Sequence, residues 1–353
     1  MLESLVRLAS TSIERGLIPD AATRLAVQIL CRQRQRELST ESAMARHWID
    51  EFVRLQDDSP IAPVPERANE QHYELPPEFF GTVLGARRKY SCCFWPADTV
   101  TLDEAEALAL EITCRRAEIA DGMHVLELGC GWGSLSLWIA EHFPQCRITA
   151  VSNSQAQRRY IMGLASERGL ADRVDVITAD MNVFDTTARF DRVVSVEMFE
   201  HMRNWRRLLA NVARWLSPEG KLFVHIFCHR QLPYEFETEG PANWMGRYFF
   251  TGGIMPSVDL LERFGDELEV RNRWTWNGKH YARTCQAWLE RLDAADDRLL
   301  PLFEQVYGQD ARLWFQRWRV FFLVGSEFFA IDEGREWLVG HYLLEQRRAL
   351  AVG

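Results

Sequence analysis

The sequence predicts an α/β fold: a doubly wound, mostly parallel sheet with helices on both faces. Two observations carry this. Strand-like segments at 124–128, 147–151, 174–178, 191–196 and 221–227 alternate with helical patterns near 134–142, 154–168 and 202–216, the order that right-handed strand–helix–strand crossovers require. Within that series, HVLELGCGWG (124–133) is an apolar run that ends on an acid and opens into Gly129, Gly131 and Gly133. Leu135, Leu137, Trp138 and Ile139 then recur at helical spacing, so the turn lies between a strand and a helix. Three glycines there let the backbone pass close to a ligand where a Cβ would collide.

The remaining elements follow in chain order. Residues 1 to about 56 carry Leu, Ala, Arg and Glu at helical spacing, and SPIAPVPER (59–67) interrupts them with three prolines. A helical extension with its linker is therefore expected over 1–70, and a main domain over 71–353. LDEAEALALEITCRRAEIA (102–120) has acids in its first turn and bases near its end, as a helix feeding the first strand should. Beyond Cys228 the pattern turns irregular and aromatic. An insertion or lid is expected at about 229–270, a helical region at about 284–335 and a last strand near 338–345.

The 353 residues are enough for a sizeable core, and 47% apolar with 26% charged residues exclude a mainly disordered chain. A net charge of −9 disfavours non-specific nucleic-acid binding. The eight cysteines are scattered, without C-x-x-C or any metal-ligand spacing, so no metal is expected and a reducing, cytoplasmic setting is. No run approaches membrane-spanning length, and the N-terminus lacks the uninterrupted apolar core of a secretory signal.

In a doubly wound sheet ligands bind beyond the carboxyl ends of the strands, which singles out the residues after each one. After the second strand, Ser152 and Asn153 can cap the next helix or reach a ribose, while capping alone accounts for Ser154. After the third, Asp180 and Met181 offer a carboxylate and a soft apolar side chain, suited to an adenine or to a solvated loop. After the fourth comes Glu197-Met198-Phe199-Glu200-His201, two acids and a histidine within five residues. Either acid can serve a helix start, and catalysis is assigned to Glu200. In the fifth strand His225 stands among apolar residues beside the Glu200 strand, as a core histidine or a functional one.

The spacing Gly-x-Gly-x-Gly resembles motif I of the S-adenosylmethionine methyltransferases rather than a dinucleotide fingerprint, whose third glycine follows three residues after the second. Tyr90-Ser91-Cys92-Cys93-Phe94, VLELGCGWGSLSLWIA, FDRVVSVEMFEHMRNW, LSPEGKLFVHIFCH, WNGKHYARTCQAWL and HYELP (72–76) resemble the cyclopropane-fatty-acid synthase superfamily. Within it, the helical extension and SEFFAIDEGREWLVGHYL resemble the coclaurine N-methyltransferase branch more than the bacterial cyclopropane synthases.

This resemblance implies a class I, Rossmann-like methyltransferase fold that binds S-adenosylmethionine. Tyr90 and Ser91 match positions at its methionine part, lined by Gly129, Gly131 and Gly133; Ser152 and Gln157 match ribose positions, with Asp180 and Met181 beside the adenine. In the cyclopropane synthases a Cys, Glu, His and Tyr surround bicarbonate, and Cys92, Glu200, His225 and Tyr281 match as catalytic candidates. Three readings follow: a methyltransferase acting on a small amine, a lipid-modifying enzyme acting on an unsaturated acyl chain, and a binding or scaffold protein that keeps the fold. The acceptor, the oligomeric state and any peripheral contact with a membrane surface are left open.

Overall fold

The computed structural model describes residues 2–39, 42–72, 75–240 and 242–347; Tyr73 and Glu74 of the HYELP segment lie outside them. Helices α1 (Leu2–Glu14), α2 (Asp20–Glu37), α3 (Ser42–Asp57), α4 (Pro65–His72) and α5 (Pro77–Val83) precede the sheet. The prolines at 60, 63 and 65 end the run of α3, and Pro65 opens α4 at its first residue, where its missing N–H costs nothing. Val27 and Cys31 of α2, with Ile49 and Phe52 of α3, share one core with the sheet-covering helices.

Helix α6 (Leu102–Arg116) starts with a reciprocal capping box: Thr101 accepts from the Glu104 N–H, and the Glu104 carboxylate accepts from the Thr101 N–H. It stops four residues before the expected 120, where Glu118 takes a positive φ and Ile119 bonds back to Cys114. Thr101→Ala should lower stability by about 1 kcal/mol, read as a small drop in the unfolding midpoint.

The alternating core is β1 (His124–Leu128), α7 (Ser134–His142), β2 (Arg147–Ser152), α8 (Gln155–Glu167), β3 (Val174–Thr178), β4 (Phe190–Val196), α9 (Trp205–Trp215) and β5 (Leu216–His229). These match the expected segments, except that β5 begins directly at the end of α9. Beyond β5, residues 230–267 hold the two-residue strands β6 (Tyr234–Glu235) and β7 (Ile254–Met255), which pair with each other, and the short helix α10 (Trp244–Tyr248). The chain continues through β8 (Leu268–Trp276), α11 (Lys279–Asp293), α12 (Asp296–Tyr307), α13 (Ala311–Gly334) and β9 (Trp337–Gln346). Strand β8 corrects the sequence reading, which ran the lid to 270 and then found no strand. As an edge strand it carries the charges of Glu269, Arg271 and Arg273 and the polar Asn272, which discourage further pairing and hide the alternation.

The sheet order is β3-β2-β1-β4-β5-β9-β8, parallel except for β9, which runs antiparallel to both neighbours. The order reverses between β1 and β4, so the crevice for a ligand opens beyond Leu128 and Val196. Among the described residues no helix is long and apolar enough to cross a membrane.

Candidate active site

Beyond β1, the glycine turn borders two hollows. One, of about 770 Å³, is lined by Gly129, Gly131, Ser152, Asn153, Gln157, Asp180 and Met181. The other, of about 520 Å³, is lined by Lys89, Tyr90, Ser91, Gly129, Gly131 and Ser134. The cofactor candidates therefore converge on one cleft, with Gly133 the exception. A Cβ on Gly133 would lie 2.7 Å from Ile161 of α8, so that glycine permits helix packing at the start of α7 and does not line the cleft. Around a Cβ on Gly131 nothing stands within 4 Å, and its φ is +52°.

Ser152 donates to Gln157 Oε1 at 2.6 Å and accepts from the Ser154 N–H at 3.0 Å, so it orients Gln157. Gln157 is 1% exposed, and its Nε2, like the Ser134 hydroxyl, is buried without a protein hydrogen bond. The open space over Gly131 and these two polar atoms fit a nucleoside cofactor with hydroxyl and amino-acid parts. Asp180 is tied into the cleft wall: it accepts from the Asn182 N–H at 2.8 Å, and Asn182 in turn bonds Ala62 through both the N–H and the carbonyl.

A third cavity lies under the lid and is walled by Phe227, Phe236, Phe250, Phe321, Phe329 and Trp288. Its polar lining includes Glu197, Glu200, His201, Tyr90 and Tyr281. Glu197 borders all three spaces, and His201 borders this cavity and the larger cofactor hollow.

Glu197 is the residue on which the site turns. It follows β4 with a φ of +48°, rare for a residue with a side chain, and its N–H bonds the His225 carbonyl at 2.8 Å. Its Oε1 accepts from the Cys92 N–H at 2.9 Å and from His225 Nε2 at 3.1 Å, and its Oε2 accepts from the Tyr281 hydroxyl at 2.5 Å. Buried Lys89 donates to Ser91 Oγ at 2.6 Å and to the Cys92 carbonyl at 2.7 Å, holding the segment that supplies one of these donors.

Burial raises the Glu197 carboxyl above the usual range, opposed by the charge of Lys89 and by the Tyr281 and Cys92 hydrogen bonds. Burial, and then repulsion from Glu197, push Glu200 up further, and its Oε2 has no hydrogen bond. Of the two acids Glu200 is pushed up the more, so burial and Glu197 together favour its protonated form. Burial lowers His201 to about 4, so its ring is neutral at pH 7.

Of the four catalytic candidates, Glu200 and Tyr281 line the aromatic cavity. Cys92 and His225 are fully covered, do not line it, and each donates to Glu197, which does. Burial also lifts the Cys92 thiol well above its usual value, and its Sγ is spent on the Cys93 carbonyl. The donors matched to bicarbonate thus already hold a carboxylate of this chain, and the residues present do not fit a separate bicarbonate. The sequence reading passed over Glu197 as a possible helix-start acid, and did not single out His201 or Lys89. The signal for Glu197 and His201 was the crowding of two acids and a histidine after β4, and Lys89 left none.

The mycolic acid cyclopropane synthetase family model matches residues 64–329, about three quarters of the chain. (S)-Coclaurine N-methyltransferase of Thalictrum flavum subsp. glaucum is 35% identical over 348 residues, covering 95% of this chain and 94% of that enzyme. A crystal structure of coclaurine N-methyltransferase bound to N-methylheliamine and SAH, also 35% identical, superposes with a TM-score of 0.93 over 97% of this chain and 99% of that one. Cyclopropane-fatty-acyl-phospholipid synthase of Escherichia coli K12 is 31% identical over 227 residues, 64% of this chain and 56% of that enzyme. By the match of the family model and by relatives spanning nearly its whole length, the chain belongs to the mycolic acid cyclopropane synthetase family, alongside the coclaurine N-methyltransferases.

Proposed function

We propose that the protein is an S-adenosylmethionine-dependent methyltransferase acting on the nitrogen of a small, apolar amine. One observation carries the reading: a buried carboxyl group, Glu197, stands where the cofactor cleft meets an aromatic cavity. When bound, the cofactor supplies an electrophilic methyl group on a sulfonium. The aromatic walls exclude water and favour a cationic guest through their ring faces, and Glu197 attracts the same charge. An amine that enters protonated must lose its proton before its lone pair can react, and Glu197, with its carboxyl raised by burial, is the base within the cavity. As positive charge develops on nitrogen the carboxylate stabilises it, while His201, neutral at pH 7, adds no opposing charge. Protonated Glu200 supplies a donor beside the acceptor, while Tyr281 spends its one hydroxyl proton on Glu197, and neither holds a charge of its own.

The lipid-modifying alternative drew on Cys92, Glu200, His225 and Tyr281 as a bicarbonate pocket. Three of these bind Glu197, which removes that argument. Methyl transfer should therefore be indifferent to bicarbonate: turnover in carefully decarbonated buffer should equal that in buffer with bicarbonate restored. Eight unpaired, buried thiols support a cytoplasmic setting.

The reading is tested with purified protein, S-adenosylmethionine and two acceptors: heliamine, and vesicles of a monounsaturated phosphatidylethanolamine. N-Methylation of the amine with unchanged lipid is the expected result. Modified acyl chains with untouched heliamine would overturn it.

A further inference from the structure

Behind Glu197 the sheet carries a second set of polar groups that the methyl transfer does not touch. His225 on β5 and His341 on β9 are directly opposite in the antiparallel register, and their rings lie 4.5 Å apart. Both residues are essentially unexposed. The His341 ring meets Arg116 of α6, with Nδ1 at 2.8 Å from the guanidinium. Trp276 of β8 packs against both imidazoles, with ring centroids 4.3 Å from His341 and 5.5 Å from His225.

The hydrogen-bond partners settle the tautomers. A guanidinium can only donate, so His341 Nδ1 is the lone pair and the ring proton of neutral His341 is on Nε2. A carboxylate can only accept, so His225 carries its proton on Nε2 toward Glu197 and leaves Nδ1 as a lone pair. His341 Nε2, His225 Nδ1 and Trp276 Nε1 are all buried without a protein hydrogen bond. These are two donors and one acceptor on three adjoining rings, and one buried water would satisfy them by accepting twice and donating once.

We propose that Arg116 and His341 are positioning residues for the methyl transfer, acting on Glu197 through one buried water and His225. Every link donates toward Glu197, from Arg116 to His341, from His341 to the water, from the water to His225 Nδ1 and from His225 Nε2 to the carboxylate. The chain locks His225 in the tautomer that can support Glu197, aims the carboxylate and favours its charged form. The groups facing these rings agree with this: Lys89 and Arg116 bear on both histidines, Glu197 on His225, and Trp276 is uncharged. Around Glu197 itself stand Lys89, Tyr281, Cys92, His201 and Glu200. None of His225, His341 and Arg116 lines the aromatic cavity, so Arg116 and His341 can be changed without altering its walls.

The inference rests on the amine-methylation reading for its effect on turnover, but the tautomers can be read without any acceptor. In protein with 15N-labelled histidine, NMR should show Nε2–H tautomers for both His225 and His341, neutral at about pH 6. Arg116→Met should release His341 to mixed tautomers. With heliamine it should lower kcat on the order of tenfold and move the acid limb of the kcat profile to higher pH, with KM for the cofactor unchanged. His341→Phe should move the limb the same way, and Arg116→Lys, still a donor, should restore both the tautomer and the limb. An Nδ1–H tautomer of His225 in the wild type would overturn the inference. So would a folded Arg116→Met protein whose His341 tautomer, kcat and acid limb all match the wild type. If heliamine is not a substrate, the amine reading fails while the tautomer result still decides the chain of donors.

Discussion

Glu197→Gln should lower turnover by on the order of 10²- to 10⁴-fold, the range lost when a positioned base is removed. Glutamine keeps the shape, and its one oxygen can still accept from Cys92 and His225 while its amide nitrogen faces the Tyr281 oxygen, but it can neither take a proton nor balance a cation in the aromatic cavity. Cofactor affinity should change far less, because only one wall of the cleft is altered. The contrasting substitution, Glu200→Gln, should cost less than about tenfold, since glutamine imitates the protonated acid that burial and Glu197 enforce there. In the wild type the acid limb of kcat reports Glu197: activity is present above its raised value and falls as pH drops through it, at a higher pH than for an ordinary carboxylate. Single-turnover kinetics with heliamine measures all three. A Glu200→Gln loss larger than that of Glu197→Gln would reverse the assignment of charge and proton.

Gly131→Val should weaken cofactor binding by more than about 100-fold, the second large effect. The residue has a φ of +52°, and the space over it is free of protein atoms in a cleft shared by both cofactor hollows. A branched side chain would project into that space and strain the turn. Calorimetry with S-adenosylmethionine, on protein whose unfolding remains cooperative, reads the loss. Gly133→Ala should behave differently: its Cβ meets Ile161, so stability suffers first and the cleft keeps its shape.

How far this was legible in the sequence depends on the range of each interaction. The strands through 196 and the helices between them announce themselves by local period, and the after-strand positions Ser152, Asp180 and Glu197 follow from the topology alone. Strand β8 did not, because an edge strand with Arg271, Asn272 and Arg273 lacks the apolar alternation that marks buried ones. Gly133 was read as a ligand residue because a motif shows which positions lack a Cβ and not what fills the space. The choice between Glu197 and Glu200 turned on three donors from residues 92, 225 and 281 meeting one carboxylate. Such a convergence is a product of the fold and leaves no mark on local spacing. His225 was singled out as a strand histidine, yet its partner His341 is 116 positions away by 341 − 225 and meets it only through the β5–β9 register.

The central claim, that a carboxylate at the junction of two cavities serves transfer to nitrogen, is tested most directly by isotope retention. Purified protein is given a cell extract and cofactor carrying a trideuteromethyl group, and the labelled product is isolated and its deuterium counted. N-Methylation keeps all three deuteriums, because the proton lost comes from nitrogen, and a nitrogen-bound trideuteromethyl group is the result expected here. A lipid carrying two deuteriums in a cyclopropane ring, one having been removed from the transferred carbon, would contradict it.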